Sequence, residues 1–121
     1  MAKTILIVED DEDIRNNLQL LLESEGYAVE LAQNGQVGID FLRSGKPLPS
    51  LIVLDLMMPI MDGFQFREAQ LKDPRIADVP VIVMTADGHV EDKQRRTAAK
   101  LLLRKPVDID VILDAVARFS N

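Results

Sequence analysis

The chain has no cysteine and no tryptophan, and it has one histidine and one tyrosine in 121 residues. Without cysteine there is no disulfide scaffold and no thiolate metal site. Basic charge is also short. Lys and Arg total 14 against 20 Asp and Glu, a formal net charge of -6. Such a surface repels a phosphate backbone, so nucleic-acid binding by this chain alone is not expected. Long apolar runs are missing too. Met1-Ala2-Lys3-Thr4 leads into only Ile5 to Val8 before acids begin, too short for a secretory signal. No stretch approaches the ~18 apolar residues of a membrane span. These absences leave a cytoplasmic protein without membrane attachment as the expectation. With 47% hydrophobic and 28% charged residues, the chain suits one globular domain over 1–121 with a real core.

What is present alternates. Short apolar runs of β-forming residues are followed by amphipathic segments. Ile5 to Val8 is bounded by Glu9-Asp10-Asp11. Runs this short, apolar on both faces, fit strands buried inside a parallel sheet. Ile14, Leu18, Leu21 and Leu22 then recur at helical spacing, with Asp11, Glu12 and Asp13 at the helix start, where the dipole favours acids. Gly26 sits where a C-terminal cap belongs. Tyr27 to Ala32 is a weaker strand, and Asn34-Gly35 opens a second helix. Leu51 to Leu54 is a third strand, Met57 to Gly63 a loop, and Phe64 to about Lys72 a third helix. Val79 to Met84 is a fourth strand, Glu91 to about Lys100 a very polar fourth helix, and Leu101 to Leu103 a fifth strand. Asp108 caps a last helix striped by Ile109, Ile112, Leu113 and Val116. Five strands alternating with five helices imply an α/β fold with a doubly wound parallel sheet.

Chemistry collects where the strands end. Glu9 and Asp10 follow the first strand, Asp55 ends the third, Thr85 the fourth and Lys105 the fifth. In an open α/β sheet, ligands bind beyond the carboxyl ends of the strands, so these five side chains converge on one rim. Three crowded carboxylates stay ionised only beside a cation. Oxygen ligands without His or Cys favour a hard ion, Mg²⁺ or Mn²⁺, over Zn²⁺. A metal beside a lysine and a hydroxyl suits phosphoryl transfer, and an aspartate can itself be the nucleophile.

At these residues the chain closely resembles the receiver domain of bacterial two-component response regulators, of the chemotaxis-regulator type. The marks are Ile5-Leu-Ile-Val-Glu9-Asp10-Asp11, Leu54-Asp55-Leu-Met-Met-Pro59-Ile-Met-Asp62-Gly63, Val83-Met-Thr85-Ala86 and Lys105-Pro106, in order along the whole chain. The resemblance implies a flavodoxin-like (βα)5 fold with strand order 2-1-3-4-5. It implies Asp55 as phosphoacceptor. Asp10, Asp55 and the Met57 backbone carbonyl would bind Mg²⁺, with Glu9 reaching it through water. Thr85 and Lys105 would be the catalytic contacts to the phosphoryl group, joined by the Ala86 amide. The Lys105-Pro106 bond would be cis. The donor would be a sensor histidine kinase or histidine phosphotransfer protein, and the output an unnamed downstream protein.

Two rival functions are weaker. A phosphatase with an aspartyl nucleophile resembles Asp-x-Asp, but Met57 stands at its general-acid position. A degenerate receiver acting as a constitutive interaction module would lack part of the site. Blander roles are assigned elsewhere. His89 is expected in solvent, the phenylalanines in packing, and Lys93, Arg95 and Arg96 on a solvated helix face. Two features depart from the family. The spacing from Thr85 to Lys105 is short, with Thr97-Ala-Ala-Lys100 running straight into Leu101 and no Gly-Ala turn. Leu102 replaces the Tyr or Phe usual three residues before the lysine. A switch without that aromatic points to Ala86-Asp87-Gly88-His89 as the moving element, with Gly88 permitting a hinge.

Overall fold

The computed structural model describes residues 2–86 and 90–120. Its elements are β1 Thr4–Val8, α1 Glu12–Ser24, β2 Ala28–Ala32, α2 Gly35–Leu42, β3 Leu51–Asp55, α3 Gly63–Lys72, β4 Val81–Thr85, α4 Val90–Thr97, β5 Leu101–Arg104 and α5 Ile109–Phe119. The strands form one parallel sheet in the order β2-β1-β3-β4-β5. The expected doubly wound, flavodoxin-like order is therefore the observed one.

The continuous apolar runs are explained by the two faces they must fill. Successive strand residues point to opposite sides of a sheet. Leu6, Val8, Ile52, Leu54, Val81 and Val83 pack on one side with Ile39 and Leu42 of α2 and Phe66 of α3. Ile5, Ile7, Leu51, Val53, Ile82 and Met84 pack on the other with Leu22 of α1 and Ile112, Ala115 and Val116 of α5. Every position in β3 and β4 is buried, so neither strand alternates polar with apolar.

The helix starts follow local chemistry. The Asp11 carboxylate accepts from the Asp13 and Ile14 amides, and Asn34 accepts from Val37. Asp62 and Gln65 form a reciprocal capping box. Gly26 follows α1 at φ 90°, the left-handed conformation expected after a helix end.

Two boundaries differ from expectation by more than one residue, and the first is the start of β4, at Val81 rather than Val79. The second is the end of α4, at Thr97 rather than near Lys100, and the chain does not run straight into β5. Ala98 turns it, at φ 52°, in a left-handed conformation that glycine adopts at less cost. The cause lies in α3. The Arg67 guanidinium, itself buried, donates to the carbonyls of Thr97 (2.6 Å) and Ala98 (3.1 Å) and to Gln70 Oε1 (2.6 Å). It thus satisfies carbonyls that a helix end leaves without partners. Gln70 Nε2 in turn donates to the carbonyls of Ile76 and Val79, fixing the approach to β4.

Candidate functional site

The ladder register sets the site. Val8 is level with Leu54, Asp55 with Met84, and Thr85 with Arg104. The residues leaving β1, β3, β4 and β5 therefore emerge on one rim. Beyond β1 the Glu9 amide still pairs with the Ala32 carbonyl (3.0 Å), which keeps Glu9 in the sheet and its side chain fully buried. Arg15 Nη1, one turn into α1, donates to the Glu9 carbonyl (3.0 Å) and fixes the turn that leaves Asp10 exposed.

Asp55 is 3% exposed at the end of β3. The loop behind it folds back so tightly that only glycine fits at 63. A Cβ there would lie 2.7 Å from the Leu56 Cα and 2.8 Å from the Asp55 carbonyl oxygen. The Gly63 amide donates to the Leu56 carbonyl (2.9 Å), closing the turn. Ile60, at its tip, is exposed with φ 69°, an unusual conformation for a β-branched residue. The Met57 amide donates to Asp55 Oδ1 (3.4 Å), so the backbone wraps the carboxylate while the Met57 side chain faces solvent.

Lys105 joins the two buried acids. Its ammonium lies 2.8 Å from Glu9 Oε1 and 3.3 Å from Asp55 Oδ1. The Lys105 amide donates to the Thr85 carbonyl (2.7 Å), and the Lys105-Pro106 bond is cis. Burial pulls the lysine down, but its bond to Glu9 and the charges of Asp55 and Glu9 outweigh this and hold it above the ordinary value. Glu9 is pushed up to about 7, first by burial and then by Asp55, with Lys105 opposing. Oxygens of Glu9, Asp10 and Asp55 lie within 4.8 Å of one another. Three acids so close, one driven toward its protonated form, are a site short of positive charge. Its donors are all oxygen, which fits a hard divalent cation.

Thr85 is fully buried at the end of β4, and Ala86 is exposed beside it. The structure thus brings Glu9, Asp10, Asp55, Thr85 and Lys105 to one rim. Asp87, Gly88 and His89 lie outside the described residues, so the expectations for the loop after Ala86 fall there. Leu102 is buried, 7% exposed, among the residues on the α2 and α3 side of the sheet.

The family follows from this. The profile described as "Response regulator receiver domain" matches residues 5–117. The chain belongs to the response regulator receiver domain family. It is 36% identical over 118 residues to Response regulator Rre1 of Synechocystis, covering 95% of this chain and 50% of that protein. It is 34% identical over 114 residues to Protein PilH of Pseudomonas aeruginosa, covering 93% of each. Its fold matches the response regulator TrrA of Thermotoga maritima, solved in complex with Mg²⁺-BeF, at TM-score 0.84 and 29% identity, over 97% of this chain and 98% of that one. The chain spans about half the length of the first curated relatives it matches. Among the described residues no helix is long and apolar enough to cross a membrane.

Sequence reasoning misplaced one receiver residue. Lys93, expected on a solvated face, turns inward, and its ammonium donates to Thr85 Oγ1 at 3.3 Å. Arg95 does stay outside, paired with Asp92, whereas the Arg96 guanidinium stacks 3.9 Å above the Phe64 ring. The signal was the poverty of the helix itself. A segment reading Val-Glu-Asp-Lys-Gln-Arg-Arg-Thr has one apolar residue, so polar side chains must line its inner face.

Proposed function

We propose that this receiver, acting over residues 1–121 as one unit, is a switch set by phosphorylation of Asp55. The observation that carries the reading is the buried Asp55 carboxylate held between a lysine and a cluster of two more acids. An Asp55 oxygen attacks the phosphorus of a phosphohistidine on a sensor histidine kinase or histidine phosphotransfer protein. An O–P bond forms, the N–P bond breaks, and its electron pair leaves with the imidazole nitrogen. Hydrolysis later restores the carboxylate and releases inorganic phosphate. The protein thus acts catalytically only on its own aspartate.

Lys105 is placed to pair with the transferred oxygens, and Thr85 and the Ala86 amide to hydrogen-bond them. Asp10, Asp55 and the Met57 carbonyl would hold Mg²⁺ or Mn²⁺, with Glu9 behind them. When bound, the cation would neutralise the crowded acids and the charge on the transferred group. The Mg²⁺-BeF complex of TrrA supports this assignment. The new charge on Asp55 would alter which downstream protein binds. A constitutive interaction module finds no support, since no residue of the site is missing.

Calorimetric titration with Mg²⁺ tests the metal assignment. Asp10→Asn removes a charged oxygen ligand and should weaken binding by more than the roughly tenfold that loss of an outer-shell partner costs. Wild-type affinity in Asp10→Asn would exclude Asp10 as a ligand.

A further inference from the structure

We propose that Lys93 is a positioning residue of the phosphorylation site, acting through the hydroxyl of Thr85 and tying α4 to the phosphorylated state. The inference rests on the reading of Asp55 as phosphoacceptor.

The geometry is a hydrogen bond of fixed polarity. An ammonium has three donors and no acceptor, so at 3.3 Å from Thr85 Oγ1 it can only donate. The threonine hydroxyl has one proton and two lone pairs. With one lone pair turned to Lys93, its proton must point elsewhere. A phosphoryl oxygen on Asp55, in the neighbouring strand, is the acceptor the reaction would bring. A cation behind the donor also strengthens the bond the donor makes. Lys93 would thus prepare Thr85 as a donor and add positive charge behind it, with Lys105 supplying charge from β5.

The same contact links chemistry to a helix. At its C-terminal end α4 is pinned by Arg67, through the Thr97 and Ala98 carbonyls. Nearer its N-terminal end, Lys93 reaches the site itself. At neutral pH a phosphoryl group carries about -1.5 to -2 charge where the Asp55 carboxylate carried -1, and this added negative charge draws the ammonium and the turn that carries it. This gives a receiver with Leu102 in place of an aromatic ring a route from Asp55 to its surface.

The test measures beryllofluoride affinity at saturating Mg²⁺ and the rate of Asp55 phosphorylation by acetyl phosphate, in wild type, Lys93→Gln, Lys93→Arg, Thr85→Ala and the Thr85→Ala/Lys93→Gln double variant. Lys93 is half-exposed, so Lys93→Gln should keep the wild-type thermal midpoint. Losing a charge-assisted hydrogen bond should lower its beryllofluoride affinity about tenfold. Mg²⁺ affinity without beryllofluoride should not fall, because a nearby cation has been removed. Lys93→Arg should recover most of the loss. In the Thr85→Ala background, Lys93→Gln should cost less than about twofold, as coupled residues are not additive. An unchanged Lys93→Gln, or a full loss in the Thr85→Ala background, overturns the proposal while leaving Asp55 as phosphoacceptor intact. A wild type that takes neither beryllofluoride nor phosphate overturns the phosphoacceptor reading, and this proposal with it.

Discussion

A site built to hold a cation should weaken the fold when the cation is absent. Glu9 shows the strain most clearly. Its carboxyl is raised from 4.5 to about 7, so the native state holds that proton more tightly than the unfolded chain does. The contribution of Glu9 to stability is therefore full below about pH 4.5 and is lost as pH rises through 7. At 1.36 kcal/mol per pKa unit, the full shift corresponds to about 3 kcal/mol above pH 8. Burial is the first cause and Asp55 the second, with Lys105 opposing. The repulsion from Asp55 is a minor part of this, on the order of 1 kcal/mol. Asp55→Asn removes the repelling charge with little change in shape, and Lys105 keeps Glu9 at 2.8 Å as partner. The variant should thus melt roughly 3–5 °C higher than wild type at pH 8 in a chelating buffer, for a domain of this size. The gain should shrink at pH 5, where Glu9 is protonated in both proteins. Saturating Mg²⁺ should reverse it, because the metal stabilises wild type more. Thermal unfolding followed by circular dichroism at two pH values, with and without Mg²⁺, reads all three effects. A lower midpoint for Asp55→Asn at pH 8 without metal would refute the reasoning.

Two other predictions concern the scaffold. Ala98→Gly should raise the unfolding free energy by about 0.5–1 kcal/mol in urea titrations, since φ 52° costs alanine more than glycine; a loss of stability would mean the turn is not strained. Asp73 is held down at about 2, first by its side-chain bond to Arg75 and then by the Arg75 amide and Arg43. Its contribution is therefore present above about pH 4 and lost as pH falls through 2, so Asp73→Asn should flatten the acid limb of the melting curve in that window; a parallel acid limb would contradict the ion pairs.

Strands β1, β3 and β4 were legible because burial on both faces leaves an unbroken apolar run, whereas the edge strand β2, half in solvent, read more weakly. The site was legible because its residues sit immediately after those runs: Glu9 and Asp10 after Val8, Asp55 after Leu54, Thr85 after Met84. What the sequence hid was long-range. Arg67 lies 12 positions beyond Asp55, inside a helix that offers no hint that a guanidinium would be buried. Its partners are carbonyls 30 and 31 residues away, and carbonyls carry no sequence signature. The end of α4 was misjudged for that reason, since glycine or asparagine, not alanine, is the residue expected at a positive φ there. Lys93 was misjudged because a charge run ordinarily faces water.

The central claim is that Asp55 accepts a phosphoryl group at a cation-dependent site. Intact mass spectrometry after incubation with acetyl phosphate and Mg²⁺ tests it most directly. Wild type should gain one phosphoryl adduct that acid, base and hydroxylamine all remove, absent in Asp55→Asn and absent when the metal is chelated. An adduct of equal yield in Asp55→Asn, or none in wild type, would contradict the account.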